Sequence, residues 1–153
     1  IIPAMKGRQR VYARFNKINY QKIAELSGIK TNECEELLRH LNNDQVERID
    51  REIIQNSSII IIDEFQDFFK NDCSKIEEWL RETEKRGITV ILLGQNIKKC
   101  NETWTKKIKI KIKLKRKKGG FEFEIQKRKN EKDFETKEKG EETFNEIYFG
   151  TTK

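Results

Sequence analysis

The sequence predicts an α/β domain built on a parallel sheet with flanking helices, followed by a C-terminal β-hairpin, and three observations carry that prediction. Residues 59–62 are four consecutive isoleucines followed by Asp63 and Glu64, and an unbroken β-branched run describes a strand covered on both faces, as parallel-sheet strands are. Residues 88–94, ITVILLG, form a second unbroken apolar run. The segment between the two runs repeats its apolar residues with helical period, so strand, helix and strand read as one βαβ unit. Further on, residues 107–115 alternate Lys with Ile or Leu, Lys118-Gly119-Gly120 turns the chain, and FEFEIQ alternates again, which describes a hairpin with one apolar and one charged face.

The elements follow in order. Lys6 and Gly7 end a short helix, with Gly7 expected in the left-handed position that closes many helices. Residues 10–15, RVYARF, have the Val, Tyr and Phe content of a strand. Asn19 precedes a helix carrying Tyr20, Ile23, Ala24 and Leu26 near one face, and Ser27-Gly28 ends it. Thr31 starts the next helix, with Cys34, Leu37, Leu38 and Leu41 at spacings of three and four. Asn43 or Asp44 caps a third, running through Val46, Ile49, Ile53 and Ile54. Ser57-Ser58 breaks that pattern before the isoleucine strand. Ser74 caps a helix whose inner stripe is Ile76, Trp79, Leu80 and Thr83, until Arg86-Gly87 stops it. Residues 127–142 are charge-rich and read as a solvated loop, and aromatics return at residues 144–150.

At 153 residues the chain is long enough for one domain with a modest core. Its parts are residues 1–56 (strand and helices), 57–97 (the βαβ core), 104–128 (the basic hairpin) and 129–153 (a charged loop and terminal aromatic segment). Charged residues make up 39% against 35% apolar, but the apolar ones are clustered in blocks, so those blocks fold. Lys and Arg outnumber Asp and Glu by 33 to 26, with the excess mainly between Lys98 and Lys118. A nucleic acid, a phospholipid surface or plain solubility each accounts for such a basic stretch. Cys34, Cys73 and Cys100 lie in no metal-binding or disulfide spacing and read as free thiols. His40, the single histidine, reads as a helix residue without chemistry. No apolar run reaches membrane-spanning length and no signal peptide is present, so the segment reads as soluble. The chain opens IIPAMKGRQR without an initiator Met, and reads as a piece of a longer protein.

The residues that carry chemistry sit at the ends of the two apolar strands. A strand that delivers two adjacent carboxylates at its C-terminal end places them in the crevice where α/β sheets bind ligands. This is the pattern of a Walker B element. In that reading Asp63 holds Mg²⁺, directly or through water, while Glu64 takes a proton from the water that attacks the γ-phosphate of ATP. The plainer reading is that both merely end a strand and favour the next helix N-terminus. Gln95 follows the second apolar strand and emerges at the same sheet edge if the strands are parallel neighbours, where it senses the γ-phosphate or orients the water.

These segments resemble, in order, those of the Zot-like P-loop ATPases, the family of filamentous-phage assembly ATPases and the zonular occludens toxin. KGRQRVYARFNKINYQKIAEL is similar to that family's Val-Tyr strand and short helix, and IIIIDEFQDFF to its acidic strand and aromatic follow-on. WLRETEKRGITVILLGQN resembles its helix, basic-Gly turn and Gln-ended strand; KIKIKIKLKRKKGGFEFEIQ resembles its later strands and FNEIYFGTTK its closing segment. The resemblance implies a P-loop NTPase-like fold of the additional-strand class. It implies a homo-oligomeric ATPase using ATP and Mg²⁺ on the cytoplasmic side of the inner membrane, anchored by a segment not present here. Such a motor assembles and extrudes a filamentous virus, with single-stranded DNA and capsid proteins as partners.

Two departures qualify it. No GxxxxGK[ST] phosphate loop occurs in the sequence, so that element would lie upstream of Ile1, and residues 1–153 alone are expected to bind ATP poorly or not at all. Secondly, Lys85-Arg86-Gly87 stands where the family often has Arg-His-Gly. Arg86 reads either as a charge-stabilising finger reaching across a subunit boundary or as a cation at a helix C-terminus. The hairpin likewise has two readings: its lysines track a phosphate backbone, or they guard a solvated edge against aggregation. Two rivals to the viral motor remain, a partner- or nucleic-acid-binding module that has lost catalysis, and a related DNA-translocating ATPase.

Overall fold

A computed structural model describes residues 1–15, 18–94, 101–130 and 133–143. It divides into two compact units, residues 1–103 and 104–153.

The first unit is a four-stranded parallel sheet. Its strands are β1 (Val11–Arg14), β2 (Leu38–His40), β3 (Ile59–Ile62) and β4 (Thr89–Leu92), in the order β2-β1-β3-β4. The isoleucine strand lies inside the sheet, pairing Tyr12 with Ile60 on one side and Ile60 with Val90 on the other. Ile60 and Ile62 are fully buried and Ile61 nearly so, as a strand covered on both faces must be. Alternation sends Val11, Ala13 and Ile61 to one face, where they pack with Met5, Ala24, Cys34 and Leu38. Those residues come from α1 (Ile2–Lys6), α2 (Tyr20–Ser27), α3 (Thr31–Leu37) and β2. Tyr12, Ile60 and Ile62 occupy the other face. Tyr12 gives its hydroxyl proton to the Ile53 carbonyl at 2.7 Å and accepts from the Gln55 N–H at 3.2 Å. The indole of Trp79 donates to the Val46 carbonyl at 2.8 Å, which ties α5 (Cys73–Lys85) to α4 (Asn43–Arg48).

Several boundaries differ from the sequence reading. Gly7 has φ −80° and is not left-handed; Arg8 takes that conformation, at φ 55°. The helix from Thr31 stops at Leu37, and Leu38–His40 pairs with Val11–Ala13 as a parallel strand. His40 therefore lies on a strand, with Nε2 2.7 Å from the Phe15 carbonyl. Asn42 caps α4 and completes a capping box with Gln45. The helix ends at Arg48 because Ile49 turns left-handed at φ 46°. Asp72 caps α5, accepting from the Lys75 N–H, and Ile76, Trp79 and Thr83 are buried along its inner face. Strand β4 is apolar in sequence but lies at the edge of the sheet, and Ile91 and Leu93 are exposed.

The second unit holds a separate antiparallel sheet, β5 (Ile110–Lys117), β6 (Gly120–Arg128) and β7 (Phe134–Thr143), preceded by α6 (Glu102–Lys107). The hairpin forms as expected, turning at Gly119 with φ 79°. The charge-rich stretch expected as a loop contains β7, which pairs along the whole of β6 with a register shift between Ile125 and Gln126. No helix among the described residues is long and apolar enough to cross a membrane.

Candidate functional site

Strand β3 ends at Ile62, so Asp63 and Glu64 leave the sheet at its C-terminal edge, the ligand-binding edge of open α/β sheets. Four hydrogen bonds fix the exit. The Asp63 N–H donates to the Arg14 carbonyl at 3.3 Å, and Arg14 Nη1 donates to the Asp63 carbonyl at 2.7 Å. On the other side, the Leu93 N–H donates to the Ile62 carbonyl at 2.9 Å and the Phe65 N–H to the Leu93 carbonyl at 3.2 Å. Arg14 is itself positioned: Nε donates to Asn43 Oδ1, and its guanidinium lies 5.8 Å from the centre of the Phe68 ring.

The two carboxylates are then separated by a sharp turn. Glu64 has φ 50° and ψ 49°, a left-handed conformation that costs a non-glycine residue about 1–2 kcal/mol. Strain held at the tip of a buried strand is found where surrounding structure imposes it, commonly at binding and catalytic sites. Asp63 Oδ1 accepts the Glu64 N–H at 3.0 Å. Gln66 Nε2 donates to Glu64 Oε2, so the glutamate carboxylate is oriented by an amide two residues on. The other end of that amide, Gln66 Oε1, is buried without a hydrogen-bond partner among the described residues. The end of β4 closes over it: a Cβ placed on Gly94 would lie 2.6 Å from Gln66 Oε1 and 2.9 Å from the Phe65 ring. Glycine is required there because the backbone passes directly over the turn.

A carboxylate has about four lone-pair sites, and among the described residues one backbone donor, the Glu64 N–H, uses Asp63 Oδ1. That capacity suits a hard cation, which takes one or two protein carboxylates and completes its shell with water and phosphate oxygens. The phosphates themselves need a cradle of backbone N–H groups at a helix N-terminus, and no glycine-rich loop supplies one beside Asp63 among the described residues. Asp63 could therefore hold a hard cation, while nothing beside it among the described residues could cradle a phosphate.

Gln95 lies outside the described residues. Arg86 is not brought to the carboxylates. It precedes β4, so it sits at the opposite end of the sheet from Asp63, with the length of the strand between them. Its guanidinium is engaged within its own chain, Nε with Asn56 Oδ1 at 2.9 Å, Nη1 with the Ile49 carbonyl at 2.7 Å and Nη2 with the Ile54 carbonyl. A finger role would require those bonds to break; as it stands, Arg86 holds residues 49–56 against the end of α5. Sequence reading missed Arg14, Gln66 and the close approach at Gly94. The signal available was DEFQ, which puts an amide within reach of the preceding glutamate.

The lysines of β5 face carboxylates on neighbouring strands. Lys113 meets Glu124 at 3.0 Å, Lys115 meets Glu122 at 3.9 Å, and Lys117 pairs with Glu122 and Glu141. The Thr136 hydroxyl and the Lys113 ammonium hold the Glu124 carboxyl down at about 2, from its ordinary 4.5. This face is an ion-paired lattice and not an open row of cations. Of the cysteines, Cys34 is buried and Cys73 is exposed, its Sγ accepting from Asn101 Nδ2 at 3.0 Å; Cys100 lies outside the described residues.

Among solved structures the chain is similar to the N-terminal domain of zonular occludens toxin from Neisseria meningitidis, at 17% identity and a TM-score of 0.53. The match covers 92% of this chain and 78% of that one, and shows a shared fold. No curated protein matches. The model of the Zonular occludens toxin (Zot) family matches residues 1–150. With that match over nearly its whole length, and with an acidic strand inside a helix-flanked parallel sheet, the chain belongs to the Zot family.

Proposed function

We propose that this domain supplies the metal-binding and water-activating half of a Mg²⁺-dependent ATPase that drives assembly and extrusion of a filamentous virus. The observation that carries the reading is the pair of carboxylates at the C-terminal end of β3, turned apart by the left-handed Glu64 and braced from both sides. Asp63 would hold Mg²⁺, which neutralises charge on the phosphates of bound ATP. Glu64, oriented by Gln66, accepts the proton of the attacking water. Arg14 binds the Asp63 carbonyl and so secures the backbone at the strand end from which the two carboxylates project. The phosphate cradle and Gln95 complete the site in this reading. Single-stranded DNA and capsid subunits are the cargo of a homo-oligomer at the cytoplasmic side of the inner membrane.

The test is the substitution Glu64→Gln in the full-length protein, which keeps shape and removes the base. ATP is retained and turnover falls by about 10²–10⁴-fold. Hydrolysis at a near-normal rate removes Glu64 from the role.

A further inference from the structure

We infer that the antiparallel sheet of β5, β6 and β7 is a docking surface for an anionic phospholipid membrane, with its apolar face toward the lipid. Register places Ile110, Ile112, Leu114 and Arg116 of β5 on one face with Lys127, Ile125, Phe123 and Phe121 of β6. This is the face opposite the lysine–glutamate lattice. Ile110, Ile112 and Leu114 are 59%, 58% and 68% exposed, so three large aliphatic side chains stand in water in a row. Scattered apolar residues are ordinary on a surface, whereas a contiguous patch marks an interaction site.

Charge selects the occupant. Residues 104–153 hold 16 Lys and Arg against 9 Asp and Glu, a net of +7, while residues 1–103 balance at 17 each. The whole excess of the chain therefore resides in the unit that carries the exposed row. Arg116 and Lys127 bracket that row at its two ends. The acidic positions of the same face, Glu135 and Glu138 among the described side chains, lie on β7, the strand farthest from the row, with Glu135 opposite Lys127. Stacking a second copy on this face would bring two +7 units together. Pairing two β5 edges would oppose lysine to lysine, an arrangement that protects edges from association. Nucleic-acid bases need exposed rings, but the exposed side chains are aliphatic. The two phenylalanines are half-buried, and the Phe123 ring lies against Gly140, where an added Cβ would come within 2.6 Å of it. An aliphatic row flanked by cations matches a surface that offers acyl chains beneath negative headgroups, where apolar burial and attraction to anionic lipid act together.

The experiment is flotation of the whole chain with phosphatidylcholine vesicles, with and without phosphatidylglycerol. The chain floats with the anionic vesicles only and is released by high salt. Ile110→Ser, Ile112→Ser and Leu114→Ser combined lower the partition by about tenfold or more, with far-UV circular dichroism unchanged because all three side chains are exposed. Arg116→Gln with Lys127→Gln weakens binding while keeping the row intact. Leu114→Trp gives a second readout, because Trp79 and Trp104 are buried: its emission shifts to the blue with anionic vesicles alone. Failure of the native chain to float, or equal flotation of the triple variant, overturns the inference. So does a dimer in sedimentation that the triple variant dissociates without any vesicle binding, or an oligonucleotide complex with the same behaviour.

Discussion

Arg86→Ala separates the structural from the catalytic reading of that side chain. The guanidinium donates to the Ile49 and Ile54 carbonyls and to Asn56 Oδ1, and the side chains of Ile49 and Ile54 are buried. Hydrogen bonds from a charged donor contribute about 1.5–3 kcal/mol each when both partners are shielded. Arg86 is only half-buried, so water replaces part of what is lost, and about 1 kcal/mol per bond is the appropriate scale. Truncation then costs about 2–4 kcal/mol, because two carbonyls of the 49–56 segment lose their donor together. For a chain of this size that lowers the melting temperature by about 5–12 °C. Urea unfolding followed by circular dichroism measures it, with Arg86→Lys alongside; a single ammonium does not span three acceptors and recovers less than half of the loss. Stability within about 0.5 kcal/mol of the native chain would refute the bracing role. A loss of turnover in the full-length protein at unchanged stability would restore the finger.

The close approach at Gly94 and the Glu124 carboxylate can each be tested by one substitution. Gly94→Ala drives a methyl group into Gln66 Oε1 and the buried Phe65 ring. It costs about 1–3 kcal/mol and shifts the Gln66 side-chain amide resonances; native stability with unmoved resonances would contradict the close approach. Glu124, held at about 2 by the Thr136 hydroxyl and Lys113, has a folded value below its unfolded one. Its contribution to stability is therefore complete above pH 4.5 and disappears as the pH falls through about 2. Thr136→Val removes the larger cause, so the Glu124 carboxyl titrates higher by NMR, and an unchanged titration rules out the hydroxyl as that cause.

What the sequence made legible was whatever depended on local pattern. Four β-branched residues in a row have few alternatives to a buried strand, and Ile59–Ile62 is one. Gly28 and Gly87 end their helices in left-handed conformation at φ 72° and 64°, as glycine after a helical period suggests. The misses share a different cause. Leu38–His40 continues the helical spacing of Cys34 and Leu37, and only pairing with Val11–Ala13, about 27 residues back in sequence, makes it a strand. Residues 134–143 show no apolar alternation; β7 forms because β6 offers it an edge, and its side chains are mostly exposed. The cap of α5 slipped by two residues because Asp72 and Ser74 are both good caps, and the backbone at Asp72 decided between them.

The candidate site was half legible. Asp63 and Glu64 announce themselves by following an apolar run. The left-handed turn between them, the Gln66 brace and the Arg14 tie depend on how three strands and Asn43 converge, which no local pattern encodes. Arg86 shows the converse: its basic-Gly context suggested chemistry, while its position at the far end of the sheet gives it three partners in its own chain.

The central claim is that the end of β3 holds the metal of a nucleotide complex, and Mn²⁺ tests it directly as a paramagnetic substitute for Mg²⁺. Electron paramagnetic resonance titration of the full-length protein with Mn²⁺ and ATP, native against Asp63→Asn, reads metal binding without reference to turnover. The account predicts that Asp63→Asn weakens Mn²⁺ binding by about tenfold or more, since a neutral amide replaces a charged oxygen ligand. Equal Mn²⁺ affinity in the two proteins would contradict it.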